Sequence, residues 1–471
     1  MNLVSIARHL PYPLQQPLRY IYGALPACIR YGRVFWESYN FLKESQWWSR
    51  EKLEEYQMQQ LSQLLNHAYE NVPYYQRVFD ERGLKPKDIQ NLDDLRKLPY
   101  LTKEIIQENL PELVARNYPE SKLQYVTTGG STGQPLGLYC ERGVTTDKEQ
   151  AFLITMWGRV GFRIGDRCAI LRGDIVPSAS KGKFWVYNPA SKNLVLSSYH
   201  MTDETLPNYV EKIREFKPAF IQAYPSTITI LVRFMNEKNI PPFPSVKAIL
   251  CASENLYPWQ RELLESSLKC RVWDFYGHAE RAALAGQCEK TNFYHVQSEF
   301  GIIELIDEKG NPATKENEMA EIVATGLANF ACPLIRYRTL DLAVPSDAHC
   351  ECGRNYPLLK DIDGRLQDLV VTRDKRLITL TALIFAQHFE AFSRVKQMQL
   401  FQQKAGELVV KIVKAPKYSK KDEQEIRLKM QRAVGHGLDI AFDYVDHIPR
   451  TQIGKYRFLI QKLPIEFGGH K

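Results

Sequence analysis

The sequence predicts an α/β protein in two parts: a large N-terminal domain with mixed, mostly parallel, helix-covered sheets plus a β insert, and a small α+β C-terminal domain. Three observations predict it. Between about residues 168 and 273, short β-branched runs alternate with helix-like stretches, the pattern of a largely parallel sheet clothed in helices. From about residue 300 the pattern becomes Gly301–Ile306, a turn at Glu308-Lys309-Gly310-Asn311-Pro312 and Ala320–Ala324, which reads as an antiparallel hairpin. Beyond Arg365 the composition shifts again, and 471 residues are too many for one ordinary core. The division falls at 1–366 and 367–471, with residues 1–120 largely helical.

The first 35 residues interleave Leu3, Ile6, Leu10, Leu14, Leu18 and Ile21 with Arg8, Arg19, Arg30 and Arg33. They read as a helix docked on the main body, with peripheral membrane contact as the alternative. Residues 47–70 place Leu53, Tyr56, Leu61, Leu64, Leu65 and Ala68 at helical spacing, with Ser49 as cap. Asn71-Val72-Pro73 breaks that helix, and short helices separated by Gly83, Pro86 and Pro99 run to about 120. Strands are expected at Cys168–Leu171, Leu194–Leu196, Phe220–Gln222, Ala248–Cys251 and Arg271–Trp273, and helices at 203–216 and 226–238. In the last part, 396–414 reads as two strands around Lys404-Ala405-Gly406, Ser419–Val434 as an amphipathic helix and Leu438–Val445 as a third strand. The charged stretch Asp363–Arg376 reads as a linker.

Composition is that of a soluble globular protein, 44% hydrophobic and 25% charged, with a net charge of +8 spread along the chain. Spread charge decides little between an anionic small molecule and nucleic acid. Nine unevenly placed cysteines and no secretory leader point to a reducing, cytoplasmic setting. No apolar run approaches the roughly 20 residues that span a bilayer.

The chemistry is concentrated in six segments. Val126–Gly137 packs four glycines and four hydroxyl side chains into twelve residues, a backbone able to curl its N–H and O–H donors around one phosphate. Its spacing is not that of the G-x-x-x-x-G-K-[ST] loop. Alone it reads equally as an exposed turn. Cys251-Ala-Ser253-Glu254-Asn255 and Phe275-Tyr276-Gly277-His278-Ala279-Glu280-Arg281 each follow a predicted strand. Pro333–Leu342, Asp363–Asp368 and Pro449-Arg-Thr-Gln-Ile-Gly-Lys455 complete the order. Ligands in open α/β sheets bind just past the carboxyl ends of strands.

These six motifs, in this order, resemble the adenylate-forming superfamily and, within it, the phenylacetate–coenzyme A ligase and CapK-like capsule-biosynthesis branch. The resemblance covers nearly the whole chain from about residue 50. The family's Thr-Ser-Gly-Thr-Thr-Gly-Lys-Pro loop stands here as Thr127–Pro135, with Gln134 where lysine is common. It implies that Thr128, Gly129, Gly130, Ser131, Thr132 and Gly133 grip the β- and γ-phosphates of ATP. Ser253, Glu254 and Asn255 would line the adenine, and Tyr276, beside Gly277, would stack on it. Glu280 would hold magnesium, a hard oxygen ligand for a hard cation. Ala279 stands where relatives have Thr or Ser. Asp341 would accept from both ribose hydroxyls, and Arg365 would touch ribose and phosphate ahead of a hinge at Leu366-Gln367-Asp368. Lys455 would stabilise charge developing on the α-phosphate and the attacking carboxylate. His278 would face the acyl group or α-phosphate, or else hold a loop.

The acid pocket is expected around Tyr224, Pro225 and Ser226, with Trp157 or His200 as further walls. Cys288, His295, Cys350 and Cys352 make a full donor set for structural zinc; scattered buried cysteines are the alternative, and His349 is a second nitrogen candidate. The resemblance implies ATP-dependent activation of a carboxylic acid as acyl-adenylate, then acyl transfer to an amine, hydroxyl or thiol in capsule, cell-surface polysaccharide or natural-product synthesis. An acyl-coenzyme A ligase, an adenylyltransferase acting on a hydroxyl and a catalytically weak nucleotide-binding scaffold are the alternatives. The expected cofactors are ATP, Mg2+, structural Zn2+ and, for a ligase to coenzyme A, coenzyme A. The expected partners are a small-molecule acid and acceptor, not nucleic acid; monomer and homodimer both stay open.

Overall fold

The structure is a computed structural model. It describes residues 20–465 except 128–135, 175, 177, 180–181, 308, 314–317, 366–368, 376, 381–382, 385–390, 392–393 and 450–456; for 127, 363–365, 377, 379, 432–433 and 435 it describes the backbone alone. After short helical turns at 20–24 and Ala27–Arg30, the N-terminal part holds the longer helices α1 (Arg33–Ser45), α2 (Arg50–Asn71), α3 (Pro73–Glu81) and α4 (Lys103–Leu113). Ser49 caps α2 as its sequence predicts, its side chain accepting from the Lys52 N–H at 3.3 Å. Pro73 then starts α3, where its missing N–H is no loss.

An antiparallel hairpin follows, β1 (Leu123–Thr127) and β2 (Gly137–Glu141), in which Thr127 pairs with Gly137. The glycine-rich stretch joins these strands and lies outside the described residues. After α5 (Thr145–Gly158) come β3 (Cys168–Leu171), β4 (Trp185–Asn188), β5 (Asn193–Leu196), α6 (Leu206–Phe216), β6 (Phe220–Ala223), α7 (Pro225–Glu237), β7 (Ala248–Ala252), α8 (Pro258–Leu268) and β8 (Arg271–Gly277). The chain continues through β9 (Leu284–Gly286), β10 (Tyr294–Val296), β11 (Gly301–Ile306), β12 (Ala320–Gly326), β13 (Tyr337–Ser346) and β14 (Leu358–Arg365).

Strands β3 to β14 form one twelve-stranded sheet, ordered β11-β12-β13-β14-β10-β9-β8-β7-β6-β3-β5-β4. Strands β5, β3, β6, β7 and β8 are parallel neighbours, as the alternating pattern predicts. From β9 to β11 every pairing is antiparallel, so the expected β insert is the other half of the same sheet. Strands β6 and β7 are buried along their whole length, which explains their unbroken apolar sequence. Their core joins Ile221, Ile249 and Val272 to Tyr209, Ile213, Ile228 and Leu231 of α6 and α7. The antiparallel half instead packs on the N-terminal helices through Leu61, Leu65, Phe79, Ile106, Ile302 and Tyr337.

The stretch read as a linker is in part ordered strand. β14 runs through Arg365, and β15 (Leu369–Val371) pairs with β16 (Leu377–Thr379). The last part holds β17 (Val395–Gln402), β18 (Glu407–Lys414), α9 (Lys420–Val434), β19 (Asp439–Tyr444) and β20 (Leu459–Gln461) in a sheet ordered β19-β18-β17-β20. Ile426 and Met430 of α9 close its core. Gly406 makes the β17–β18 turn at φ +79°, and a Cβ there would sit 3.0 Å from the Arg373 Cα. Among the described residues no helix is long and apolar enough to cross a membrane.

Candidate active site

The parallel pairing sets the site. Leu171 pairs with Ala223, Ala223 with Cys251 and Ala252 with Phe275, so the chain leaves β3, β6, β7 and β8 side by side at their carboxyl ends. After β7, Ser253 sits at φ +69° and its hydroxyl accepts from Arg172 Nη2 at 3.2 Å. Glu254 reaches back across the sheet and accepts from the Ser226 N–H at 3.0 Å and the Ser226 hydroxyl at 3.1 Å. Two sets predicted separately, Ser253-Glu254-Asn255 and Tyr224-Pro225-Ser226, are thereby one cluster at the start of α7.

At the end of β8 the Tyr276 hydroxyl donates to Asp341 Oδ2 at 2.8 Å. Burial, reinforced by the Asp341 carboxylate, pushes the Tyr276 phenol well above its usual range, so it remains a donor. Two residues on, His278 Nδ1 lies 3.2 Å from Glu280 Oε2, and the Tyr337 hydroxyl donates to Glu280 Oε1 at 2.9 Å. Burial works to raise the Glu280 carboxyl, but the His278 contact and the Glu280 backbone N–H outweigh it and hold the group at about 2. This carboxylate is therefore ionised at neutral pH despite being buried. Ala279 is exposed beside it, and Gly277 ends the strand. Asp341 pairs across β13 and β14 with Arg365, whose backbone alone is described.

Backbone strain collects here. Ser253, Arg281, Arg336 and Leu340 are non-glycine residues at φ between +53° and +69°, all within or at the edge of the motif segments. Arg281 ties the β8 loop to its surroundings, with Nε 2.6 Å from Glu149 Oε2 on α5 and Nη1 3.4 Å from Cys140 Sγ on β2. The hairpin that carries the glycine-rich stretch is thus anchored to the segment that carries Glu280. Thr128 to Gly133, the hinge 366–368 and Lys455 lie outside the described residues. Tyr337 was missed by sequence reasoning; it stands inside the quoted Pro333–Leu342 motif, four residues before Asp341, and the alternation of a strand was the available signal.

The second predicted cluster is brought together as well. Cys288 after β9, His295 on β10, and Cys350 and Cys352 between β13 and β14 place their donor atoms within 4.8 Å of one another. Cys288 Sγ is 3.5 Å from Cys350 Sγ, and Cys352 Sγ is 3.3 Å from His295 Nε2. Burial, with Arg159 and Arg354 nearby, lowers His295 to about 3 and keeps the imidazole neutral. His349 is not a member of this group.

Residues 370–462 match the CapK C-terminal domain family. Over 465 residues, 97% of this chain and 99% of the relative, the sequence is 26% identical to protein CapK of Staphylococcus aureus. It is 27% identical over 340 residues to a phenylacetate-coenzyme A ligase of Aromatoleum evansii, covering 70% of this chain and 74% of that one. The fold matches a 2-hydroxyisobutyryl-CoA ligase solved in its postadenylation state with 2-HIB-AMP, at a TM-score of 0.70, 18% identity and 89% and 93% coverage. The chain thus resembles CapK along nearly its whole length and the phenylacetate-coenzyme A ligases over about 70% of it, and it shares the fold of the 2-hydroxyisobutyryl-CoA ligase. The contacts Tyr276–Asp341 and Tyr337–Glu280 bring the β8 loop and β13 to one place.

Proposed function

We propose that this protein activates a carboxylic acid with ATP, forming an acyl-adenylate and releasing pyrophosphate, and then passes the acyl group to a second substrate. The substrate carboxylate attacks the α-phosphorus directly, so no side-chain nucleophile is needed; the protein positions the reactants and stabilises charge. The observation that carries this reading is the pair of contacts Tyr276–Asp341 and Tyr337–Glu280, which set an aromatic face, a diol acceptor and an ionised carboxylate side by side. Tyr276 would stack on adenine and Asp341 would accept from the ribose hydroxyls. Glu280, ionised and with lone pairs left on both oxygens, suits a hard cation and would hold the Mg2+ that neutralises the phosphates. Thr128 to Gly133 would cradle those phosphates, Arg365 would meet the ribose, and Lys455 would face the α-phosphate. Residues 367–471 would rotate about 366–368 between half-reactions.

For the acceptor, an amine or hydroxyl in cell-surface polysaccharide synthesis is favoured by two facts: the CapK relative spans 97% of the chain, and the C-terminal part matches the CapK C-terminal domain. Transfer to coenzyme A is the second reading, supported by the phenylacetate-coenzyme A ligases among the relatives. The thiol cluster would hold a structural Zn2+. Tetrahedral zinc with bonds near 2.3 Å sets its ligand atoms about 3.3–3.8 Å apart, close to the spacing seen.

Pyrophosphate release, with hydroxylamine as acyl trap, tests the activity on a panel of aryl, aliphatic, amino and sugar acids. Lys455→Ala and Glu280→Gln should each lower the rate about 100-fold or more. Equal adenylation by Lys455→Ala would remove that lysine from the site. Metal analysis should find about one zinc per chain, lost in Cys350→Ser; a metal-free wild type would end the zinc assignment.

A further inference from the structure

Polar side chains gather just past three of the parallel strands, around the segment where the acid pocket is expected. Arg172 and Asp174 follow β3, Tyr224 and Ser226 follow β6, and Ser253 and Glu254 follow β7. Two pairs among them are hydrogen-bonded, Arg172 with Ser253 at 3.2 Å and Glu254 with Ser226 at 3.0 Å, and the Tyr199 hydroxyl donates to the Gly173 carbonyl nearby at 3.1 Å. Arg172, Glu254, Asp174 and Tyr199 all bear electrostatically on the Tyr224 phenol. Among the described residues the guanidinium of Arg172 uses one of its five N–H groups on Ser253, and the side chain is half-buried.

We propose that the acid activated here is polyhydroxylated, with Arg172 as the residue that recognises its hydroxyl groups; this rests on the acid-activation reading above. An aryl ring laid against these groups would strip their water and return no hydrogen bonds, at about 1–3 kcal/mol for each polar group left unpaired. A second carboxylate on the substrate would meet one positive charge and two negative ones, Arg172 against Asp174 and Glu254. Hydroxyl groups fit both signs, accepting from the guanidinium and the phenols and donating to the carboxylates. Sites built to hydrogen-bond a hydroxyl reject analogues that lack it far more strongly than apolar pockets sort by size.

ATP–pyrophosphate exchange by the full chain, with glucuronate, galacturonate and gluconate set against phenylacetate, tests the inference. At least one sugar acid should exceed phenylacetate by about 100-fold in kcat/KM. Arg172→Met should lower the sugar-acid value about 100-fold, mainly through KM, at least about tenfold more than it lowers the phenylacetate value, and Arg172→Lys should recover part of the loss. An unchanged melting temperature separates this from misfolding. Exchange with phenylacetate alone, or an Arg172→Met defect equal for both acid classes, overturns the inference and leaves acid activation standing. No exchange with any acid, while ATP still binds, overturns both.

Discussion

In the parallel half of the sheet, Ile221, Ile249 and Val272 are wholly buried among other apolar side chains. Across β8, in the antiparallel half, burial is shared with charge: Glu321 is wholly buried and paired with Arg338, Nε to Oε1 at 3.0 Å, and Arg336 holds Glu304 at 2.9 Å. The first half is a scaffold fixed by volume. The second is fixed by matched polar groups, and it carries Glu280, Asp341 and the thiol cluster. The difference teaches where this fold tolerates change, because apolar contacts fail gradually whereas a buried ion pair fails when either partner goes.

The comparison breaks hardest at Glu321→Ala. It strands the Arg338 guanidinium in the sheet and should cost about 3–5 kcal/mol in urea unfolding. Replacing both partners, Glu321→Leu with Arg338→Met, should recover most of that loss, because no buried charge is left unpaired. A single-variant cost under about 1 kcal/mol would mean that water reaches the pair.

At the boundary between the halves, Asp274 on β8 is fully buried and accepts from the Tyr294 hydroxyl at 2.6 Å. Burial raises its carboxyl from 3.8 to about 6, against the opposing hydrogen bond from Tyr294. A raised carboxyl favours the folded state while protonated. Its contribution is complete below about pH 4 and is lost as the pH rises through 6, a difference on the order of 3 kcal/mol. Asp274→Asn keeps an acceptor for Tyr294 and removes this slope. The variant should therefore gain on the wild type by about 2–3 kcal/mol in urea midpoints taken at pH 8 relative to pH 4.5. Parallel pH profiles for the two proteins would show that Asp274 is already ionised in the folded state.

What the sequence disclosed follows the same division. Strands β6 and β7 were legible because burial on both faces requires unbroken apolar runs, and α2 because Ser49 and a regular stripe mark its start and face. Strands β9, β10 and β14 were not: they are short or charged, and their partners lie far along the chain. His295 on β10 pairs with Leu358 on β14, a contact that no local pattern announces. The Cys288, His295, Cys350 and Cys352 group was legible because thiolate and imidazole donors are few. Tyr337 and Arg172 escaped because a tyrosine in a strand and an arginine at its end usually mean packing and solvent. The glycine-rich stretch and Lys455 were read from motif order alone and lie outside the described residues.

The smallest effect is the sharpest control. Ile249→Val in the parallel half and Ile322→Val in the antiparallel half each remove one methylene from a fully buried side chain. Each should cost about 0.5–1.5 kcal/mol. If the halves differ only in how they satisfy polar groups, these two costs should agree within about 0.5 kcal/mol, because apolar packing answers to volume in both. A markedly larger cost for Ile322→Val would mean that its neighbours cannot relax, and that the ion pairs around β12 hold the backbone rigid as well as matched. Urea unfolding of the two variants at pH 8, above the Asp274 transition, isolates that packing difference from the charge differences tested above.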